Sequence, residues 1–248
     1  MTEQSPVLLA ETVDGVRYVT MNRPERLNAL NQAMAEALLA EFEGLRRNTE
    51  IRVVVLSGAG RAFSAGADLK ASGTPEALRD GPNGDWMLRD VAKAMRACPQ
   101  PIIALVKGAA AGGGLALALA ADIILAGESA AFHTAFIKIG ISGSELGVAW
   151  RMQRTMGISR AREAMFTGDP IDAAEAWRTG LVSKVVPDAA LEEHGKALAE
   201  KMLKAAPDAL RITKRSLDAA LEIGSVDMAM EVEERGQMLT IRAGRVGR

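Results

Sequence analysis

Two segments of the chain place glycines directly after an apolar run and directly before helix-forming residues. The first, Gly60-Arg61-Ala62-Phe63-Ser64-Ala65-Gly66-Ala67-Asp68-Leu69-Lys70, follows Arg52-Val53-Val54-Val55-Leu56-Ser57. The second, Gly108-Ala109-Ala110-Ala111-Gly112-Gly113-Gly114, follows Pro101-Ile102-Ile103-Ala104-Leu105-Val106-Lys107. Each reads as a buried strand running into a turn that opens a helix, and the first N–H groups of a helix have no intrahelical acceptor. Two such turns side by side would aim two free N–H groups at one point, the geometry that holds an oxyanion formed from a carbonyl. Three adjacent glycines at a helix start cost stability relative to alanine. Close approach of a ligand or another backbone, or tight helix packing, must therefore account for Gly112, Gly113 and Gly114.

The bulk composition narrows what such a site would serve. With 248 residues, 48% hydrophobic and 25% charged, the chain has the apolar material for one main domain with an appendage. A net charge of −1 supplies no overall attraction to nucleic acid or anionic membrane, so neither is an expected partner. Cys98 is the single cysteine, and His133 and His194 are the two histidines. An intrachain disulfide is excluded, and a Cys/His metal centre and a His-relay triad both lack raw material. No metal is expected. The start, Met1 to Pro6, is polar, without the basic and apolar regions of a signal peptide. The longest apolar stretch, Gly112 to Ala121, is cut by Asp122, short of the ~20 residues of a membrane helix. A cytoplasmic setting is expected.

The elements that must position the two turns are legible as patterns. Asp14-Gly15 between Val7–Val13 and Val16–Met21 signals a hairpin. Asn31 precedes Met34, Leu38, Phe42 and Leu45, the buried stripe of an amphipathic helix. Ala71 to Asp85 has weak periodicity and reads as a surface loop. Met87, Leu88, Val91, Met95 and Cys98 mark another helix, ended by Pro99 and Pro101, and 122–126 and 130–134 read as short strands. The loose repeat of strand, turn and helix start over 53–67 and 102–113 suits a spiral of stacked units, although any α/β protein contains such units. From Arg160 onward helices dominate, over 160–166, 172–179, 188–205, 208–221 and 226–240. Leu210, Thr213, Leu217 and Leu221 form an apolar stripe. Val226, Met230, Met238 and Ile241 form a sparser one that faces either a partner subunit or an internal packing surface.

Three stretches taken together resemble the crotonase superfamily, the enoyl-CoA hydratase/isomerase family. They are Asn22-Arg23-Pro24-Glu25-Arg26-Leu27-Asn28-Ala29-Leu30, then Ala62 to Lys70, and Val106 to Gly114 with Ala121-Asp122-Ile123-Ile124. The resemblance covers nearly the whole chain, in order. It implies an α/β fold, a spiral of ββα units over 1–190, with a C-terminal helical region over 191–248 that serves oligomerisation and pocket closure. It also implies an acyl-CoA thioester as the ligand, no cofactor beyond the coenzyme A carried by the substrate, and a homotrimer or a hexamer made of two trimers. By the same resemblance the oxyanion donors fall on the N–H groups of Ala67 and Gly113. Arg23, Arg26 and Lys70 fall at CoA-contacting positions, with Ala65, Asp68 and Leu69 around the adenine and pantetheine, and Phe136 in the substrate pocket. The ordinary reading of each basic residue is a solvated surface charge.

The departures from the family pattern bear on the reaction. Typical hydratases carry two glutamates at positions that correspond to Ala116 and Phe136, and two apolar side chains cannot move protons. One carboxylate stands nearby, Glu145 in Gly143-Ser144-Glu145-Leu146-Gly147, resembling the single acid of dienoyl-CoA isomerases and several other branches. A lone carboxylate suffices for double-bond migration, which favours an isomerase over a hydratase. The same residues also read as a helix capping box, in which case Glu145 binds backbone. His133 is a second candidate proton carrier. A hydratase, hydrolase or decarboxylase of the same fold, and a binding module without catalysis, remain alternatives.

Overall fold

Asp14 and Gly15 take positive φ angles of 48° and 84° and join β1 (Leu8–Val13) to β2 (Val16–Met21) in an antiparallel hairpin. The computed structural model describes residues 6–69 and 85–242; the loop expected over 71–85 falls almost wholly outside them. Asn31 caps α1 (Gln32–Leu45), its side chain accepting from Met34 N, and the predicted stripe of Met34, Leu38, Phe42 and Leu45 is buried. From β2 the main sheet grows through β3 (Val53–Gly58), β4 (Ile102–Val106), β6 (Ile123–Gly127) and β9 (Lys184–Val186), all parallel beyond the hairpin. A second sheet orders β5 (Ala109–Ala111), β7 (Ala131–His133) and β8 (Ile171–Asp172).

The sheet alternation explains why β3 and β4 are continuous apolar runs. Val54, Leu56, Ile102 and Ala104 face a core shared with α1, α2 (Asp85–Ala97) and α3 (Gly113–Ala120). Val53, Val55, Ile103 and Leu105 face Leu191 and Ala199 of α7 (Leu191–Leu203) on the other side. Both faces are covered, so both sets must be apolar.

Chain order fixes the spiral. β4 leads through Gly108 into β5 and then α3; β6 leads into β7. One turn earlier the same role falls to Ser64 and Ala67, which form isolated bridges to Ala110 and Leu30 instead of a full strand. Equivalent positions of successive turns lie beside each other, Ser64 with Ala110 and Ala111 with His133. The expected spiral of ββα units is what the chain forms.

The remaining helices are α4 (Val148–Met156), α5 (Ile158–Thr167), α6 (Ala173–Arg178), α8 (Pro207–Ala220) and α9 (Val226–Arg242). A 3-10 turn over Asp188–Ala190 precedes α7, so the helix expected from Asp188 begins at Leu191. Of the apolar stripe on α8, Leu210 is partly buried against the core, whereas Leu217 is 64% and Leu221 44% exposed in the single chain, and the buried residue of α8 is Lys214. Its ammonium is satisfied by Asp122 at 2.8 Å and by the carbonyl of Gln100 at 3.0 Å. No helix among the described residues is long and apolar enough to cross a membrane.

Candidate active site

The first turn is built by a fully buried asparagine. Asn28, at φ 53°, donates from Nδ2 to the carbonyls of Ala59 and Ala62, both at 2.8 Å, and accepts from Arg23 N at 2.9 Å. Its own carbonyl accepts from Ser64 Oγ at 2.8 Å, and that hydroxyl in turn accepts from Gly66 N at 3.2 Å. Leu30 N donates to Gly66 O, and Asp68 N to Leu30 O. In a parallel bridge, successive N–H groups point to opposite sides. With Gly66 N held by Ser64 and Asp68 N held by Leu30, the N–H between them, that of Ala67, donates to no acceptor among the described residues.

The second turn is bonded directly to the first. Phe63 N donates to Lys107 O, Ser64 N to Ala109 O, and Ala111 N to Ser64 O, at 2.8 to 3.0 Å. Gly112 N donates to His133 O, and Gly112 itself stands at φ 50°, ψ −117°, a conformation open to glycine. Gly113 is therefore the first residue of α3, and its N–H has no acceptor among the described residues. A Cβ on Gly66 would lie 2.5 Å from Ala111 O and 3.4 Å from Gly113 N; one on Gly113 would lie 4.0 Å from Ala67 N. Both amides thus border one gap, at the positive end of a wholly buried helix. Its walls are apolar: the same Cβ on Gly113 would lie 3.1 Å from Leu30 and from Leu88, and one on Gly112 would lie 3.5 Å from Phe136. Gly114 has a different reason, since a Cβ there would strike Ser64 O at 2.6 Å. Of the accounts open for the three adjacent glycines, close backbone approach holds for Gly114.

The sequence offers few candidate proton carriers for this gap. Ala116, one helical turn beyond Gly113, is buried, and Phe136 is buried against Gly112. Glu145 lies on the loop before α4, half-buried, ahead of Leu146 and Gly147, which have φ of 52° and 81°. Helix α4 takes Gly147 as its N-cap with no side-chain cap, so the capping box read from the sequence does not form. Among the described residues the Glu145 carboxylate has no hydrogen-bond or ion-pair partner. Leu146 and Gly147 line a cavity of about 770 Å³ together with Ala116. His133 is half-buried; burial lowers its pKa, and the charge of Lys138 adds to the effect. Its carbonyl holds Gly112 in place.

Residues 11–243 match the sequence model of the enoyl-CoA hydratase/isomerase family. The chain belongs to that family. Among its relatives is a probable enoyl-CoA hydratase, EchA12, of Mycobacterium tuberculosis, 40% identical over 240 residues, covering 94% of this chain and 84% of the relative. A monofunctional enoyl-CoA isomerase from M. smegmatis superposes with a TM-score of 0.78 at 39% identity, over 91% of this chain and 99% of that one. An enoyl-CoA hydratase from Bacillus anthracis superposes with a TM-score of 0.89 at 32% identity, over 95% and 91%. At the level the family defines, this is an acyl-CoA-binding crotonase enzyme.

In this crotonase the residues assigned to the coenzyme side are distributed unevenly. The Arg23 guanidinium is committed inward, to Asp68 at 2.9 Å and to Ala29 O at 2.6 Å, tying the first turn to the segment before α1. Arg26, Ala65 and Leu69 are exposed around that turn. Lys70 lies outside the described residues. The structure adds two residues that the sequence reading gave no role, Asn28 and Ser64, which shape the first turn without reaching the gap. Asn28 stood within a stretch already singled out, between Arg23 and Leu30, so its place in the pattern was the signal available.

Proposed function

We propose that this enzyme moves a double bond within an acyl-CoA thioester. The N–H groups of Ala67 and Gly113 hold the thioester oxygen, and Glu145 carries the proton. Removing a proton from the carbon next to the carbonyl, or from the vinylogous carbon of an enoyl chain, places negative charge on that oxygen. Two fixed donors and a helix N-terminus meet the charge where it develops, each donor lowering the barrier by roughly 3 kcal/mol in comparable sites. Returning the proton to a different carbon completes an isomerisation with one carboxylate, with no net gain or loss of atoms.

The observation that supports this reading is two neighbouring amides without an acceptor among the described residues, while Ala116 and Phe136 stand at the positions the family resemblance assigns to hydratase glutamates and leave Glu145 as the carboxylate the reading assigns. Water addition needs a second proton carrier. The hydratase reading stays in the assay because two of the relatives carry that name. The assembly in this reading is a trimer or a pair of trimers, working in the cytoplasm.

The test is Glu145→Gln assayed against a panel of enoyl- and dienoyl-CoA esters by absorbance. Loss of the carboxylate should lower turnover by roughly a hundredfold to ten-thousandfold, with affinity for a saturated acyl-CoA preserved. Unchanged turnover removes Glu145 from the mechanism. Accumulation of 3-hydroxyacyl-CoA by the wild-type enzyme would make it a hydratase.

A further inference from the structure

One face of α3, made by Ala116, Leu119 and Ala120, walls the cavity of about 770 Å³, which is bounded elsewhere by α2, by Leu146 and Trp150, and by Ala219 of α8. Its charge is unbalanced: Arg89, Lys93, Arg96 and Arg151 line it against Asp218 and Glu222. Arg96 is held by Asp218 and, at 3.4 Å, by Asp122, whose other oxygen takes Lys214 at 2.8 Å. Lys93 reaches Asp90 at 3.7 Å. Arg151 is different. Among the described residues it has no carboxylate partner, and its Nη2 makes two long bonds, to the carbonyls of Ala121 at 3.3 Å and Asp122 at 3.4 Å. Burial lowers its pKa, with the neighbouring Arg96 adding to the effect and Asp122 and Asp218 opposing it.

Position along α3 gives the cavity a direction. Ala116 lies one turn from Gly113, and the helix spans about 12 Å from Gly113 to the carbonyls that Arg151 meets. The space therefore begins one helical turn from Gly113 and extends to a guanidinium. A cap on the C-terminus of α3 accounts for Nη2, but a guanidinium carries five N–H donors arranged for a bidentate carboxylate. Ala116 matters to the same end. A glutamate there would put a negative charge on the cavity wall and repel an anion bound beyond it.

We infer that this cavity receives the acyl chain and selects chains that end in a carboxylate, which Arg151 binds. The inference rests on the reading that the thioester sits at Ala67 and Gly113. The probes are octanoyl-CoA and the mono-CoA thioester of octanedioic acid, saturated esters of equal length, titrated calorimetrically into the full chain. The wild-type protein should bind the carboxylate-ended ester at least about tenfold more tightly. Arg151→Met should abolish that preference and leave octanoyl-CoA affinity within about twofold. Ala116→Glu, which leaves Arg151 and its helix contacts untouched, should weaken the carboxylate-ended ester selectively and serves if the Arg151 variant does not fold. Equal wild-type affinity for the two esters overturns the inference and leaves the thioester site standing. Failure of both esters to bind overturns the two together.

Discussion

Asn28 acts on the site without touching a reacting atom. Its side chain satisfies two carbonyls and one amide, and its backbone occupies a left-handed conformation that asparagine tolerates better than most residues. Asn28→Ala leaves those groups buried and unmet, at about 1–3 kcal/mol for each that water cannot reach. The variant should show a lower denaturant midpoint and, well below its melting temperature, a lower kcat, because the first turn no longer presents Ala67. A midpoint and kcat equal to wild type would remove Asn28 from the positioning role. At this scale the sequence was readable where geometry demands glycine, as at Gly66 and Gly112. It was silent at Asn28 and Ser64, because the groups they serve are backbone carbonyls and amides with no side-chain signature, some of them 31 to 36 residues away.

Elements with a local signal were legible, and those made by tertiary pairing were not. The Asp14-Gly15 hairpin and α1 each carry their own turn or cap. Asn31 is therefore a clean test of how much local chemistry contributes: Asn31→Ala removes the acceptor for Met34 N and should cost about 1 kcal/mol. Urea unfolding should show this as a shifted midpoint at constant slope; no shift would mean that packing alone sets the start of α1. The second sheet had no comparable signal. β5 is three alanines, β8 is two residues, and Ser64 joins it through a single bridge, all too short for a period to be visible. Helix α8 shows a further limit. Its apolar stripe was visible, but Lys214 stands on that same face, and its pairing with Asp122, a partner on another element, carried no signal in the sequence.

For the whole molecule, the C-terminal helical hairpin is the unfinished part of the single chain. Gly236 lets α9 approach α8, where a Cβ would lie 2.9 Å from Ile212 and 3.1 Å from Ser216. On α9, Val226 is 73% and Met230 60% exposed, with Met238 and Ile241 also exposed. Of the two readings of that stripe, an internal packing surface is not what the chain forms. Long flexible methionines on an uncovered helix suit contact with another protein surface, which fits the proposed self-assembly. Replacing Met230 and Met238 together by Glu places charge on that face while leaving Gly236 and its contacts alone. Sedimentation velocity should then give a single chain where the wild type gives an oligomer, with helix content by circular dichroism unchanged. A wild-type protein that sediments as a monomer, or a variant that sediments as wild type does, would reject this face as the interface. The consequence for activity follows from the same packing. Helix α8 supplies Asp218 and Ala219 to the cavity wall and is braced on one side by α9. A monomeric variant should therefore raise KM for acyl-CoA more than it lowers kcat, since the amide pair and Glu145 lie on other elements.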